Sequence, residues 1–374
     1  MKALFIANIP SPYRIDFYQA LGKLCDLTVV FEAKGSKSLK FNYNFNRELT
    51  FKAVFLNNDS VTDGYYRVVN RKIKPILSEH YDKIVITCYD TFTQQYVNRY
   101  CHRKHIPFYI SSDGGFIKRK EFFLKRWYKR QLISNASWYF SSGESTNQYL
   151  EYYGAKRQNI YMYPFTSVSE KQILKSLVSS EEKINLRKKL GIKEKKIIIG
   201  VGQFIKRKGW DVFLNALPIN RDDIGAYIIG GEETDEYKEI VSKRKLKNVH
   251  FLAFMSSDLL AEYYMASDLF VLPTREDIWG LVINEAMAYG LPVITTDHCI
   301  AGLEMVDGNG YIFGINNSDE LQRDILSIID NEQLRLVMSK KSIELSHKWT
   351  IENMAKSYFL GLKENLISPH CLPK

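Results

Sequence analysis

Apolar and polar positions alternate along this chain between short apolar runs and longer segments with helical spacing. In the first half the runs Lys2–Asn8, Leu27–Phe31, Phe51–Leu56, Lys83–Thr87, Pro107–Ile110, Trp138–Ser141 and Ile160–Tyr163 read as strands. Between them Ile15–Leu24, Thr93–His102, a stretch near 119–132 and Thr146–Tyr153, stopped by Gly154, read as helices. From about 165 to 195 the pattern lapses into a polar, Ser- and Lys-rich stretch that reads as a hinge, and then it restarts. Lys196–Val201, Ala226–Ile229, Val249–Leu252, Leu269–Leu272 and Pro292–Thr295 are predicted strands; Gly209–Leu217, Leu259–Met265 and Val282–Ala288 are predicted helices. Strands of this length separated by helical segments are the signature of βα units with a parallel sheet. The expectation is α/β: two doubly wound, Rossmann-like domains facing across a cleft, with ligands at the carboxyl ends of the strands.

The composition allows this. The chain has 374 residues, 45% hydrophobic and 25% charged, enough for two ordinary domains. It lacks a run of about 18 apolar residues, which excludes a transmembrane helix. The apolar start, Met1–Ala7, soon meets Pro10 and Pro12 and reads as a core strand rather than a signal peptide. The five cysteines, Cys25, Cys88, Cys101, Cys299 and Cys371, are scattered without a CxxC pair, which points to a reducing cytoplasm and no structural zinc. The net charge of +10 is uneven: residues 1–170 hold 25 Lys and Arg against 14 Asp and Glu, so the basic surplus lies in the first half. Such asymmetry suggests an anionic partner.

The most informative stretch is 272–294, LPTREDIWGLVINEAMAYGLPVI. A buried strand ends at Pro273, a loop carries Glu276, Asp277, Ile278, Trp279 and Gly280, and a helix opens at Leu281 with Glu285 in its first turns. Backbone N–H groups at such a helix start can hold an anion, and the carboxylates suit hydroxyls. A second signal is 197–209, IIIGVGQFIKRKG, a strand leading into a glycine-containing loop and then Lys-Gly. Gly200 and Gly202 permit close backbone approach, and the cations could neutralise a diphosphate. A KRKG cluster by itself is more often a solvated basic turn; its place about 70 residues before the EAMA string favours the phosphate reading.

The string IWGLVINEAMAYGLPVI resembles that of the retaining nucleotide-sugar glycosyltransferases of family four, the glycosyl transferases group 1. The resemblance, firmest over about 190–330, implies the GT-B fold and a donor site in the second domain. It implies that Glu285 grips the donor ribose and that the first acidic position touches the transferred sugar. That position is Asp277 where the family has Glu, with Glu276 beside it. Ile278, Trp279, Gly280 and Leu281 complete the expected donor loop. Lys208 matches the family's diphosphate-binding lysine; Gln203 stands where its arginine would be, leaving Lys206 or Arg207 to supply the missing cation, with Arg207 the preferred helper. Phe254 and Met255 fall where the nucleobase is expected. The implied domains are 1–168 for the acceptor, 190–348 for the donor and 349–374 as a C-terminal helix crossing back to the first domain.

The first half resembles the family more loosely. Its cleft loop is Pro-rich, NIPSPYR, and presents Pro12, Tyr13 and Arg14. After the strand Pro107–Ile110, where many relatives place a His, Asp113 becomes the candidate for orienting the acceptor or serving as its base; the competing reading is a helix cap or an Asp-Gly turn. Asp113, Asp277 and Lys208 are the expected catalytic residues. Residues 116–132, FIKRKEFFLKRWYKRQL, interleave seven Lys or Arg with aromatics and could lie in the headgroup region of an anionic membrane. The competing reading is a helix packed by its apolar stripe with a solvated basic face.

The expected reaction is metal-independent transfer, with retention, from a nucleotide-diphosphate sugar to a saccharide or lipid-linked saccharide in bacterial-type surface polysaccharide synthesis. Asp-x-Asp, the metal motif of the other common glycosyltransferase fold, is absent from the sequence. The expected cofactor is none, and the expected location is the cytoplasm or the inner face of its membrane. Two rivals are a nucleotide-sugar epimerase or phosphorylase on the same scaffold and a basic nucleic-acid-binding protein; the second lacks any accompanying nucleic-acid motif.

Overall fold

The computed structural model describes residues 1–36, 41–42, 48–57, 60–61, 66–117 and 120–364. Lys118, Arg119 and residues 365–374 of the expected C-terminal segment, Cys371 among them, lie outside the described residues. The chain divides into two units, Met1–Ser167 with the segment from Thr350 onward, and Val168–Trp349.

The first unit is organised by β1 (Lys2–Ala7), whose residues from Ala3 to Ala7 are all buried. A strand apolar on both faces belongs in the middle of a parallel sheet. β1 lies between β2 (Asp26–Phe31) and β7 (Lys83–Ile86), both parallel to it. With β5 (Lys52–Phe55), β8 (Tyr109–Ser112), β9 (Trp138–Ser141) and β10 (Ile160–Met162) the sheet runs β10-β9-β8-β7-β1-β2-β5. A small second sheet joins β3 (Gly35–Ser36), β4 (Phe41–Asn42) and β6 (Ser60–Val61).

The helices of this unit are α1 (Pro12–Gly22), α2 (Ile73–Leu77), α3 (Phe92–Arg103), α4 (Phe123–Ser134), α5 (Glu144–Tyr152) and the C-terminal α14 (Ile351–Lys363). Pro12 opens α1 at a position where its missing N–H costs nothing. Thr350 caps α14 by accepting from the Asn353 N–H. Tyr358 of α14 is fully buried, stacked 4.1 Å from Phe140 and hydrogen-bonded to Ser111 at 2.6 Å.

The second unit contains β11 (Lys196–Val201), β12 (Ile224–Ile229), β13 (Val249–Leu252), β14 (Leu269–Leu272), β15 (Val293–Thr296) and β16 (Gly310–Phe313), all parallel, in the order β13-β12-β11-β14-β15-β16. Strand order thus reverses between β11 and β14, where open α/β sheets form their binding crevice. Its helices are α6 (Ser180–Lys189), α7 (Trp210–Ala216), α8 (Asp235–Lys243), α9 (Ser257–Ala266), α10 (Leu281–Ala288), α11 (Ile300–Met305), α12 (Ser318–Ile329) and α13 (Glu332–Ser346).

The polar stretch read as a hinge proves to contain α6, a correction with a clear cause. None of its residues is buried, so it has no apolar stripe to announce it. Leu186 packs on the cluster of Ile192, Ile197, Tyr227 and Ala266, and charge adds to this: Lys183 and Arg187 pair with the buried Asp268 at 3.0 and 2.7 Å, and Asp268 also accepts the Ile197 N–H at the start of β11.

Candidate functional site

The strand reversal of the second unit brings together the two loops singled out in the sequence. One follows β11 and the other follows β14. Gly209 makes their approach possible: its φ is +71°, and a Cβ there would stand 2.0 Å from the Pro273 carbonyl oxygen. The Lys-Gly pair is therefore a backbone requirement as well as a charge.

The loops are bonded to each other on several levels. Lys208 Nζ lies 2.5 Å from Asp277 Oδ2, with both side chains mostly buried at 12% and 13% exposure. Arg207 reaches Asp277 Oδ1 at 3.6 Å and donates to the Glu276 carbonyl at 2.6 Å. The Arg207 carbonyl in turn accepts from the Arg275 N–H at 2.7 Å and the Thr274 hydroxyl at 3.0 Å. Arg275 was not singled out in the sequence, yet it forms a fork with Asp211 at 2.8 and 2.7 Å. Burial pushes the Asp211 carboxyl up, but Arg275 more than offsets this and leaves it below the ordinary range.

The backbone of the acidic loop is fixed by the segment after β15. Asp277 N–H donates to the His298 carbonyl, Ile300 N–H to the Asp277 carbonyl, and Ala301 N–H to the Trp279 carbonyl, at 2.9, 3.2 and 2.9 Å. Gly280, at φ +105°, precedes α10 with the Cys299 sulfur 2.8 Å from where a Cβ would sit. Burial raises the Cys299 thiol to about 12, so it stays protonated. Leu281 begins α10 and Glu285 lies one turn on, half-buried, accepting from the Tyr264 hydroxyl at 3.3 Å.

Other expected donor residues divide. Ile278 and Gln203 are exposed, and Gln203 offers its carbonyl to the Trp210 indole N–H at 3.0 Å. Phe254 is 68% exposed, with its ring beside Gly231; Met255 is half-buried. Trp279, expected in the donor loop, has its indole buried. It is 3% exposed, donates to Asn284 at 2.9 Å and packs against Trp349 at 5.5 Å, so its indole anchors the loop from behind.

In the first unit Arg14 Nη2 donates to Asp113 Oδ2 at 2.5 Å, and the Tyr163 hydroxyl donates to Oδ1 at 2.8 Å. Arg14 also donates to the Tyr13 hydroxyl at 3.2 Å, while Pro12 starts α1. Asp113 does not cap the following helix, whose N-cap is Phe122. Burial disfavours the Arg14 cation, but Asp113 and its tyrosine neighbours raise its pKa well above the ordinary arginine value, so it stays charged.

Residues 182–345 match the family model of the glycosyl transferases group 1. An uncharacterized glycosyltransferase of Methanocaldococcus jannaschii is 32% identical over 154 residues, 41% of this chain and 43% of that protein. The N,N'-diacetylbacillosaminyl-diphospho-undecaprenol alpha-1,3-N-acetylgalactosaminyltransferase of Campylobacter jejuni is 25% identical over 228 residues, 60% of this chain and 59% of that one. The chain thus spans about half the length of the curated relatives it matches. Among solved structures, Anabaena HepE in complex with UDP and glucose superposes with a TM-score of 0.74 at 17% identity, covering 97% of this chain and 100% of that one. That likeness establishes the fold, which is GT-B. Over residues 182–345 this chain is therefore similar to the glycosyl transferases group 1.

Proposed function

We propose that this chain transfers a sugar from a nucleotide-diphosphate sugar to a saccharide or lipid-linked saccharide acceptor, with retention of configuration and without a metal. The observation that carries the reading is the convergence of Lys208 and Arg207 on Asp277 beside the start of α10. A departing diphosphate needs fixed positive charge that requires no reorganisation. Lys208, Arg207 and the first N–H groups of α10 supply it; Glu285 serves the ribose hydroxyls and Asp277 the transferred sugar. Phe254 and Met255 serve the base.

Asp113 serves the acceptor by orienting Arg14, which donates to its Oδ2 at 2.5 Å. A lipid-linked acceptor in surface polysaccharide synthesis fits the Campylobacter relative, whose name specifies a diphospho-undecaprenol substrate. It also fits α4, whose first turns expose Phe123 and Trp127 among Lys125, Arg126 and Arg130. Under this reading the protein works at the cytoplasmic face of a membrane, with 116–132 in contact with anionic lipid.

The test is a thermal-shift screen with a panel of nucleotide sugars, since only a ligand that prefers the folded state raises the midpoint. The preferred donor should stabilise the parent chain, and Lys208→Ala and Glu285→Ala should each abolish that shift. Unchanged shifts in both variants would sink the assignment. Product analysis then separates transfer to an acceptor from epimer or sugar phosphate formation.

A further inference from the structure

We infer that Arg275 is a positioning residue of this donor site, bracing the turn that carries Lys208 against the acidic loop; the inference rests on the nucleotide-sugar reading above. Its guanidinium reaches three separate segments. Nη1 and Nη2 grip the Asp211 carboxylate in the first turn of α7, Nη1 also donates to the Lys206 carbonyl at 2.7 Å, and Nε donates to Asn316 Oδ1 at 2.7 Å beyond β16. Its own N–H holds the Arg207 carbonyl at 2.7 Å. The carbonyls of both residues preceding Lys208 are therefore anchored to one side chain and its backbone.

This arrangement decides where the Lys208 stem starts. An ammonium on a flexible four-carbon stem is only as well placed as the backbone beneath it, and Lys206–Lys208 is a single 3-10 turn with no buried residue. Arg275 makes no contact with the Lys208 ammonium that the site needs for its chemistry, so it acts through the turn. Arg207 returns the brace by donating to the Glu276 carbonyl, which ties the position of Asp277 to that of Lys208. A lysine at 275 would keep the charge, but one ammonium cannot reproduce a planar fork directed to three segments.

The test uses the full chain and the variants Arg275→Lys and Asp211→Asn, the second leaving Arg275 in place without its carboxylate. Lysine reactivity toward an amine-acylating reagent is followed by mass spectrometry with no nucleotide present. Lys208 should be modified at least about threefold faster in both variants as its pairing with Asp277 loosens. Lys183, held by Asp268 elsewhere in the unit, should be unchanged. An unaltered Lys208 rate overturns the inference, and so does a parallel rise at Lys183, which would mean that Arg275 serves the fold as a whole. In transfer assays Arg275→Lys should lower kcat/KM about tenfold in the parent but less than about twofold in a Lys208→Ala background, because the two act as one unit. Additive losses overturn it. If the acylation result holds while no nucleotide sugar stabilises the parent, the donor reading fails and the brace stands.

Discussion

Gly209 and Pro273 touch backbone to backbone: a Cβ on the glycine would stand 2.0 Å from the proline carbonyl oxygen, and the glycine sits at φ +71°. This contact joins the residue just before α7, at the end of the loop that follows β11, to the end of β14, and holds the basic and acidic loops together. Gly209→Ala should therefore destabilise the second unit by more than the 1 kcal/mol or so of left-handed strain, about 2 to 4 kcal/mol in all, because backbone cannot swing aside as a side chain can. Denaturant unfolding checks this, and a loss under about 1 kcal/mol would show that the loops separate easily.

The pairing of Lys208 with Asp277 leads to a second expectation. The carboxylate proposed for the sugar also pairs with the ammonium proposed for the diphosphate. Asp277→Asn should tighten binding of the nucleoside diphosphate alone, by roughly threefold to tenfold, since a competing anion is removed. Sugar transfer should fall by at least about a hundredfold, because the group placed against the transition state is lost. Calorimetry with the diphosphate, beside a transfer assay, gives both numbers. Weaker diphosphate binding in the variant would contradict the exchange of partners.

The Asp268 triad gives a pH dependence. Burial alone would raise this carboxyl, but Lys183, Arg187 and the Ile197 N–H outweigh it and hold the pKa below its ordinary value. A depressed folded pKa means that the unfolded chain binds the proton more readily. The contribution is fully present above the unfolded value of about 3.9 and is lost as pH falls through the folded one. Asp268→Asn should cost about 3 to 5 kcal/mol near neutral pH, since two cations lose their buried partner. The gap between variant and parent should begin to narrow as pH falls below about 4 and go on narrowing as pH falls through the lower, folded pKa, which melting curves from pH 7 to 2.5 would test.

Helix α4 carries the membrane expectation. Phe122, Phe123 and Trp127 are 65%, 68% and 58% exposed. The chain should float with anionic liposomes at low salt and detach as salt rises. Phe123→Ser with Trp127→Ser should abolish flotation while changing stability by no more than about 0.5 kcal/mol per site, as exposed positions allow. Retained flotation in that double variant would remove α4 as the contact.

Much of this was legible in the residues alone. β1 and β11 showed themselves as apolar runs, and 272–294 announced a strand, an acidic loop and a helix because each is a local pattern of burial and backbone bonding. Other features had no local signature. The helix α6 fully buries no residue and rests on Leu186 and on ion pairs to Asp268, too little apolar spacing for periodicity to reveal it. Trp279 appeared in the string as a loop residue; only its packing on Trp349 turns the indole inward. Asp113 read as a candidate for orienting the acceptor or serving as its base, and that Arg14 and Tyr163 lie against it had no local signature.

By itself, the sequence determined the parallel α/β units, the loops at the strand ends and the types of charge that those loops carry. Tertiary structure decided which charges meet. Lys208 with Asp277, Arg275 with Asp211 and Asp113 with Arg14 are separated by 69, 64 and 99 positions. Strand order and the close approach at Gly209 and Pro273 make the first of these neighbours. Hydrophobic spacing reports how one segment is buried; it carries no record of the segment that will lie beside it.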